Sequence, residues 1–217
     1  MPYKLVCFDF DHTLTRGKTA AEHVSDLLGC SSDVDNAENM FRNGLMSTSE
    51  FTDAIAHTFI GRTIEEIDSH MLTIPLISEI PLTVAWLKAR GIRVVINTVG
   101  FRDLMVSLGK KYGFDSVSGA QLTKNNGYFT GEVDAYFPLG DKIQFARNQA
   151  RMVGAKLSEV IAVGDGLSDL PLFQNVGRSV AFNAPDDVSK ATDAATHGTS
   201  CASLLPIFKA FLGEPTR

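Results

Sequence analysis

The chain has 217 residues, a formal net charge of −5, and 44% hydrophobic and 21% charged residues. That is the composition of a globular protein, long enough for one well-buried domain or a core with a smaller inserted module. It offers no general basic field for nucleic acid and no apolar run long enough to span a bilayer.

The chain runs straight into a strand without a signal-peptide pattern. Its three cysteines, Cys7, Cys30 and Cys201, are widely spaced. Together these lead us to expect reduced thiols and a cytoplasmic setting. Residues 3–9 read as a buried parallel strand, short and continuously apolar. From about residue 19 to 71 the pattern turns helical. Ala20, Val24, Leu27 and Leu28 form a stripe that stops at Gly29. A second helix begins at Ser49-Glu50-Phe51 and stops at Gly61, with Phe51, Ile55 and Phe59 spaced as a core-facing stripe. A third begins at Thr63 and runs through Ile67 and Met71. Residues 16–75 are therefore expected to be a small helical insert, with 1–15 and 76–217 forming the core.

After Pro75 strands and helices alternate. We expect helices at 81–90, 102–112, 142–153, 170–175 and 201–212, and strands at 92–96, 115–117, 160–163 and 179–182. Asn126-Gly127, within residues 122–133, signals a hairpin. Such alternation implies an α/β fold: a Rossmann-like parallel sheet with helices on both faces and right-handed crossovers.

The residues with chemistry sit at strand ends. Asp9-Phe10-Asp11-His12-Thr13 follows the apolar run Leu5-Val6-Cys7-Phe8. Two carboxylates two residues apart at a strand end point the same way. Burying both is costly unless a cation or a proton relieves the repulsion, so the pair points to a metal site, an acid/base pair, or both. Thr98, followed by Val99-Gly100, offers phosphate oxygens a hydroxyl and nearby backbone N–H groups. Lys142 opens a helix, where the macrodipole disfavours a cation and a bound phosphate reverses the sign. In Gly164-Asp165-Gly166-Leu167-Ser168-Asp169 the glycines are expected to let the backbone turn sharply. Asp165 and Asp169 then meet the Asp9 loop if their strands are neighbours. The histidines form no metal cluster; His12, beside the Asp9 loop, is a candidate to face substrate.

In order and spacing, across nearly the whole chain, these four sites resemble the haloacid dehalogenase-like phosphohydrolase superfamily. The helical insert looks like a C1-type cap. Residues 91–101, Gly127-Tyr128-Phe129-Thr130-Gly131 and Ala181-Phe182-Asn183-Ala184 are similar to phosphoserine phosphatases. The resemblance implies a Mg²⁺-dependent phosphomonoester hydrolase acting on a small phosphorylated metabolite. Asp9 would be the nucleophile that forms an aspartyl-phosphate, and Asp11 the general acid and then base. Mg²⁺ would sit between the Asp9 carboxylate, the Asp11 backbone carbonyl and Asp165. Thr98, Val99 and Lys142 would hold the phosphate, with Asp169 orienting Lys142 or a metal-bound water. Phosphoserine phosphatase proper, a sugar-phosphate mutase or phosphotransferase, and a non-catalytic phosphate-binding protein are the alternatives. A dehalogenase has no use for an acid at Asp11. The family pattern also implies a Glu at the start of the cap and a cap Arg, for the ammonium and carboxylate of phosphoserine. By register these positions are Lys18 and the neighbourhood of Ile55. Free phosphoserine is then not the expected substrate; an ester with a second anionic or hydroxyl-rich end, beside Lys18 and Arg16, is.

Overall fold

The computed structural model describes residues 2–213; residue 1 and residues 214–217, the outer ends of the expected core, lie outside it, as does the side chain of Arg42. Strand β1 (Leu5–Phe8) is followed by four helices, α1 (Ala20–Leu28), α2 (Ser31–Arg42), α3 (Thr48–His57) and α4 (Ile64–Met71). Then come α5 (Ile80–Lys88), β2 (Arg93–Ile96), α6 (Arg102–Tyr112), β3 (Ser116–Val117), β4 (Gln121–Asn125) and β5 (Tyr128–Ala135). The chain continues through α7 (Asp141–Met152), β6 (Val160–Gly164), α8 (Leu170–Phe173), β7 (Arg178–Phe182), α9 (Asp186–Ser189), β8 (Ala194–Thr196) and α10 (Leu205–Leu212). No described helix is long and apolar enough to cross a membrane.

Six strands form one all-parallel sheet in the order β3-β2-β1-β6-β7-β8. The order reverses at β1, so the crevice beyond its carboxyl end is the topological switch point of the sheet. β1 is fully buried because both faces are covered. Val6, Phe8, Ile96 and Val163 pack into one apolar layer with Leu104 and Phe208. Leu5, Cys7, Val95 and Ala162 pack into the other, against Ala146 and Ala150 of α7. Phe8 is wedged edge-on between Phe114 and Phe208, with ring centroids 6.0 and 6.1 Å away.

The four helices after β1 leave and rejoin the sheet through paired linkers. Arg16 N–H donates to Pro75 O at 2.8 Å, and Ile77 N–H to Leu14 O at 3.0 Å. Helices α1 and α3 each begin with a capping box, Thr19 with Glu22 and Ser47 with Glu50. The β4–β5 hairpin turns at Asn126 and Gly127, both left-handed at φ 50° and 84°, the twist a two-residue hairpin turn requires. It reaches out to hold the cap. Gly61 N–H donates to Phe129 O, and Phe129 N–H to Arg62 O, both at 2.9 Å.

Three elements were not expected from the sequence: helix α2, the one-turn helix α9 and strand β8. Among its described side chains helix α2 buries just Val34 and Ala37, too thin a stripe for periodicity to register. Strand β8 is a three-residue edge strand without alternation. The final helix also starts later than the expected residue 201, because residues 201–204 form a 3₁₀ turn. The Phe51–Ile55–Phe59 stripe divides: Ile55 and Phe59 are buried, whereas Phe51 lines a cleft between cap and core.

Candidate active site

Three strand ends and the start of one helix converge at the switch point. Asp9 follows β1, Asn97 and Thr98 follow β2, and Asp165 follows β6, while Lys142 lies in the first turn of α7. The Asp9 N–H donates to Val163 O at 2.8 Å, and the Asn97 N–H to Phe8 O at 2.7 Å, which fixes the three loops to one another.

At their centre is Lys142, completely buried. Its Nζ donates to Asp9 Oδ1 at 2.8 Å and to Asp169 Oδ1 at 2.7 Å. Burial favours the neutral amine, but the Asp9 and Asp169 carboxylates outweigh it and raise the lysine above its ordinary value. Asp169 Oδ2 accepts from the Gly166 N–H at 3.2 Å, so both its oxygens are engaged by the protein. Asp165 Oδ1 accepts from the Thr13 hydroxyl at 2.7 Å.

Asp9, Asp165 and Asp169 each offer an oxygen within 4.8 Å of the others. One ammonium facing three carboxylates leaves two negative charges in excess. The strain registers on Asp9: burial pushes its carboxyl well above the usual range, Lys142 opposes that, and Asp169 and Asp165 reinforce it. This charge deficit and the hard oxygen donors fit a divalent cation such as Mg²⁺.

Asp11 lies outside that group of three and lines the cleft beside it. Asp11 Oδ1 accepts from the Ala20 N–H, at the start of α1, at 2.7 Å. Burial raises the Asp11 carboxyl to about 6, against the lowering effect of that bond. Both of its protonation states are therefore accessible near neutral pH.

Thr98 is buried, and its Oγ1 accepts from the Gly100 N–H at 3.1 Å. Val99 and Gly100 line the cleft, as does Asp11. The two substrate-facing candidates do not line it. His12, held at φ 59°, borders a second recess with Arg16 and Asn183. Lys18 is exposed and paired with Asp26. Ile55 is in the cap core.

Several supporting residues escaped the sequence reading. Asn97 Nδ2 donates to Lys142 O at 3.0 Å and ties β2 to α7. Ser118 Oγ donates to Thr98 O at 2.8 Å. Gly164 and Gly166 do not create a left-handed turn; Gly166 sits at φ −121°. A Cβ on Gly164 would lie 2.3 Å from Asp169 Oδ2, so that glycine makes room for the carboxylate. A small residue before an acidic loop was the available signal, but its cause is a contact five residues away in sequence.

The family model for haloacid dehalogenase-like hydrolases matches residues 6–174, a span that includes all of these sites. A phosphoserine phosphatase of Archaeoglobus fulgidus is 24% identical over 207 residues, covering 95% of this chain and 60% of that protein. The phosphoserine phosphatase of Methanocaldococcus jannaschii is 24% identical over 207 residues, covering 95% of this chain and 98% of that protein. The chain thus spans about three-fifths of the first relative and nearly all of the second. A solved phospho-aspartyl intermediate analogue of phosphoserine phosphatase has a TM-score of 0.79 at 23% identity, covering 94% of this chain and 97% of that one. At that identity the likeness carries the fold. With the family model matched over residues 6–174, the chain belongs to the haloacid dehalogenase-like hydrolases.

Proposed function

We propose that this protein is a Mg²⁺-dependent phosphomonoester hydrolase that works through an aspartyl-phosphate on Asp9. The observation that carries the reading is the buried Asp9–Lys142–Asp169 array, with Asp165 beside it and Asp11 at the head of a cleft.

In the first step an Asp9 carboxylate oxygen attacks phosphorus and the P–O bond to the alcohol breaks. The leaving alkoxide takes the proton from the fraction of Asp11 that is protonated, a fraction that the raised carboxyl, at about 6, keeps accessible near neutral pH. In the second step Asp11, now ionised, takes a proton from water as that water attacks phosphorus. The P–O bond to Asp9 breaks and inorganic phosphate leaves. Lys142 holds Asp9 in place and shares the phosphate charge, while the Thr98 hydroxyl and the Val99 amide hold its oxygens. Asp169 positions Lys142. Asp9, Asp165 and the Asp11 carbonyl would hold Mg²⁺, which supplies charge neutralisation for the phosphate when bound. The small phosphorylated substrates to try first include phosphoserine, after the names of the relatives.

The test is release of inorganic phosphate from p-nitrophenyl phosphate, with Mg²⁺ or with chelator. Turnover should require the cation and fall to background in Asp9→Asn, with an unchanged circular dichroism spectrum. Substantial turnover by Asp9→Asn, or after exhaustive metal removal, would overturn the mechanism.

A further inference from the structure

The cleft that starts at Asp11 has a volume of about 420 Å³, far more than a phosphate group occupies, and extends outward between cap and core. Its first residues on the core side, Val99 and Gly100, adjoin Thr98, so the cleft is continuous with the phosphate end of the site. Whatever fills it must be the alcohol half of the ester.

The walls are apolar. On the cap side Phe41 of α2 and Phe51 of α3 stack at 4.8 Å between ring centroids and 26° between planes. Phe51 shares one face of α3 with Thr48 and Thr52, which also line the cleft. On the core side stand Phe101, Leu139 and Leu167. Leu167 is 67% exposed, Leu139 40% and Phe41 37%, so three large apolar side chains meet water around one opening. Clustered exposure of this kind marks a binding surface, whereas scattered apolar residues do not. Among the described lining residues there is no Lys, Arg or His, and the charged ones, Asp11 and Glu38, are acids. A substrate carboxylate would find no cationic partner among them. Lys18, the expected anion partner, is paired with Asp26 and does not line the cleft.

We infer that the preferred substrate is the phosphomonoester of an alcohol bearing an aromatic or bulky apolar group, which packs against Phe51, Phe41 and Phe101. This rests on the phosphomonoesterase reading above and replaces the anionic or hydroxyl-rich ester expected from the sequence.

The experiment measures kcat/KM for the Mg²⁺-loaded protein on ethyl, butyl and 2-phenylethyl phosphate and on O-phosphoserine. The alkyl leaving groups are chemically similar, so differences report the cleft. Each added CH₂ should raise kcat/KM about fourfold, and the phenyl group roughly 10- to 100-fold over ethyl phosphate. Phe51→Ala should shrink the phenylethyl-to-ethyl ratio about tenfold. Thr52→Arg, which puts a guanidinium on the same wall, should raise the phosphoserine-to-phenylethyl ratio, and it keeps the test decisive if Phe51→Ala fails to fold. A flat alkyl series, a highest kcat/KM for phosphoserine, or ratios unmoved in a folded variant would overturn the inference and leave the hydrolase reading standing. Failure to release phosphate from every ester would overturn the hydrolase reading, and the inference with it.

Discussion

Lys142 sets the balance at the site. Buried between Asp9 and Asp169, it is the residue whose loss strands two carboxylates away from water. Lys142→Met, close in volume, should therefore destabilise the metal-free protein by about 3–5 kcal/mol, read by urea unfolding at neutral pH. A cost under about 1 kcal/mol would mean that the cluster relaxes to reach solvent. Asp11 acts on the leaving group, so Asp11→Asn should slow alkyl phosphates by about 10²- to 10⁴-fold. It should slow p-nitrophenyl phosphate much less, because that leaving group departs without a proton; equal losses would remove the acid role. Most of these residues were legible because acids, a threonine and a lysine at strand and helix ends are unusual enough to count. What stayed hidden depends on contacts remote in sequence. Asn97, just past the strand expected at 92–96, holds the Lys142 carbonyl through its amide, and Gly164 lies against Asp169 rather than making the sharp turn expected of it.

At the scale of elements, the β4–β5 hairpin is what makes the cap part of the site. Asn126-Gly127 announced the hairpin, but nothing local says what it touches. In the fold it hydrogen-bonds to residues 61–64 of the cap and brings Phe129 against Phe59, with centroids 6.2 Å apart. Phe59 in turn meets Phe101 edge-on at 5.9 Å, so the strap ends on the core side of the cleft. Gly131 is at φ 84°, and a Cβ there would sit 2.2 Å from Ile60 Cγ1. Gly131→Ala must push the cap away or distort the strand, at a cost of about 1–3 kcal/mol. A lowered midpoint in urea together with faster proteolytic nicking in the cap is the expected result. Wild-type resistance to nicking would show that the strap does not hold the cap. Helix α2 illustrates the opposite case: it supplies Phe41 to the cleft, yet two buried side chains leave almost no periodic trace in the sequence. It forms because α1 and α3 flank it, and single-sequence periodicity does not see neighbours.

For the whole molecule, the sheet order brings the acids to one crevice, and their mutual repulsion is a cost that folding must meet. Any ion that binds the folded crevice and not the unfolded chain returns part of that free energy. At a free Mg²⁺ concentration 100 times its dissociation constant, the gain is about 2.7 kcal/mol. For a chain of this size that corresponds to a rise in Tm of about 5–10 °C. Ca²⁺ should also raise Tm, since its larger shell accepts the same oxygens, but it should support turnover poorly because the compact geometry of phosphoryl transfer is lost. Asp165→Asn separates the contributions. It removes one of the crowded charges, so the metal-free variant should be at least as stable as the metal-free parent. It also removes a donor, so Mg²⁺ should no longer lift its Tm. Thermal unfolding of both proteins with chelator, Mg²⁺ and Ca²⁺ makes the comparison without any substrate. An equal Mg²⁺ shift in parent and variant would place the ion away from Asp165 and detach the metal from the crevice that the strand order builds.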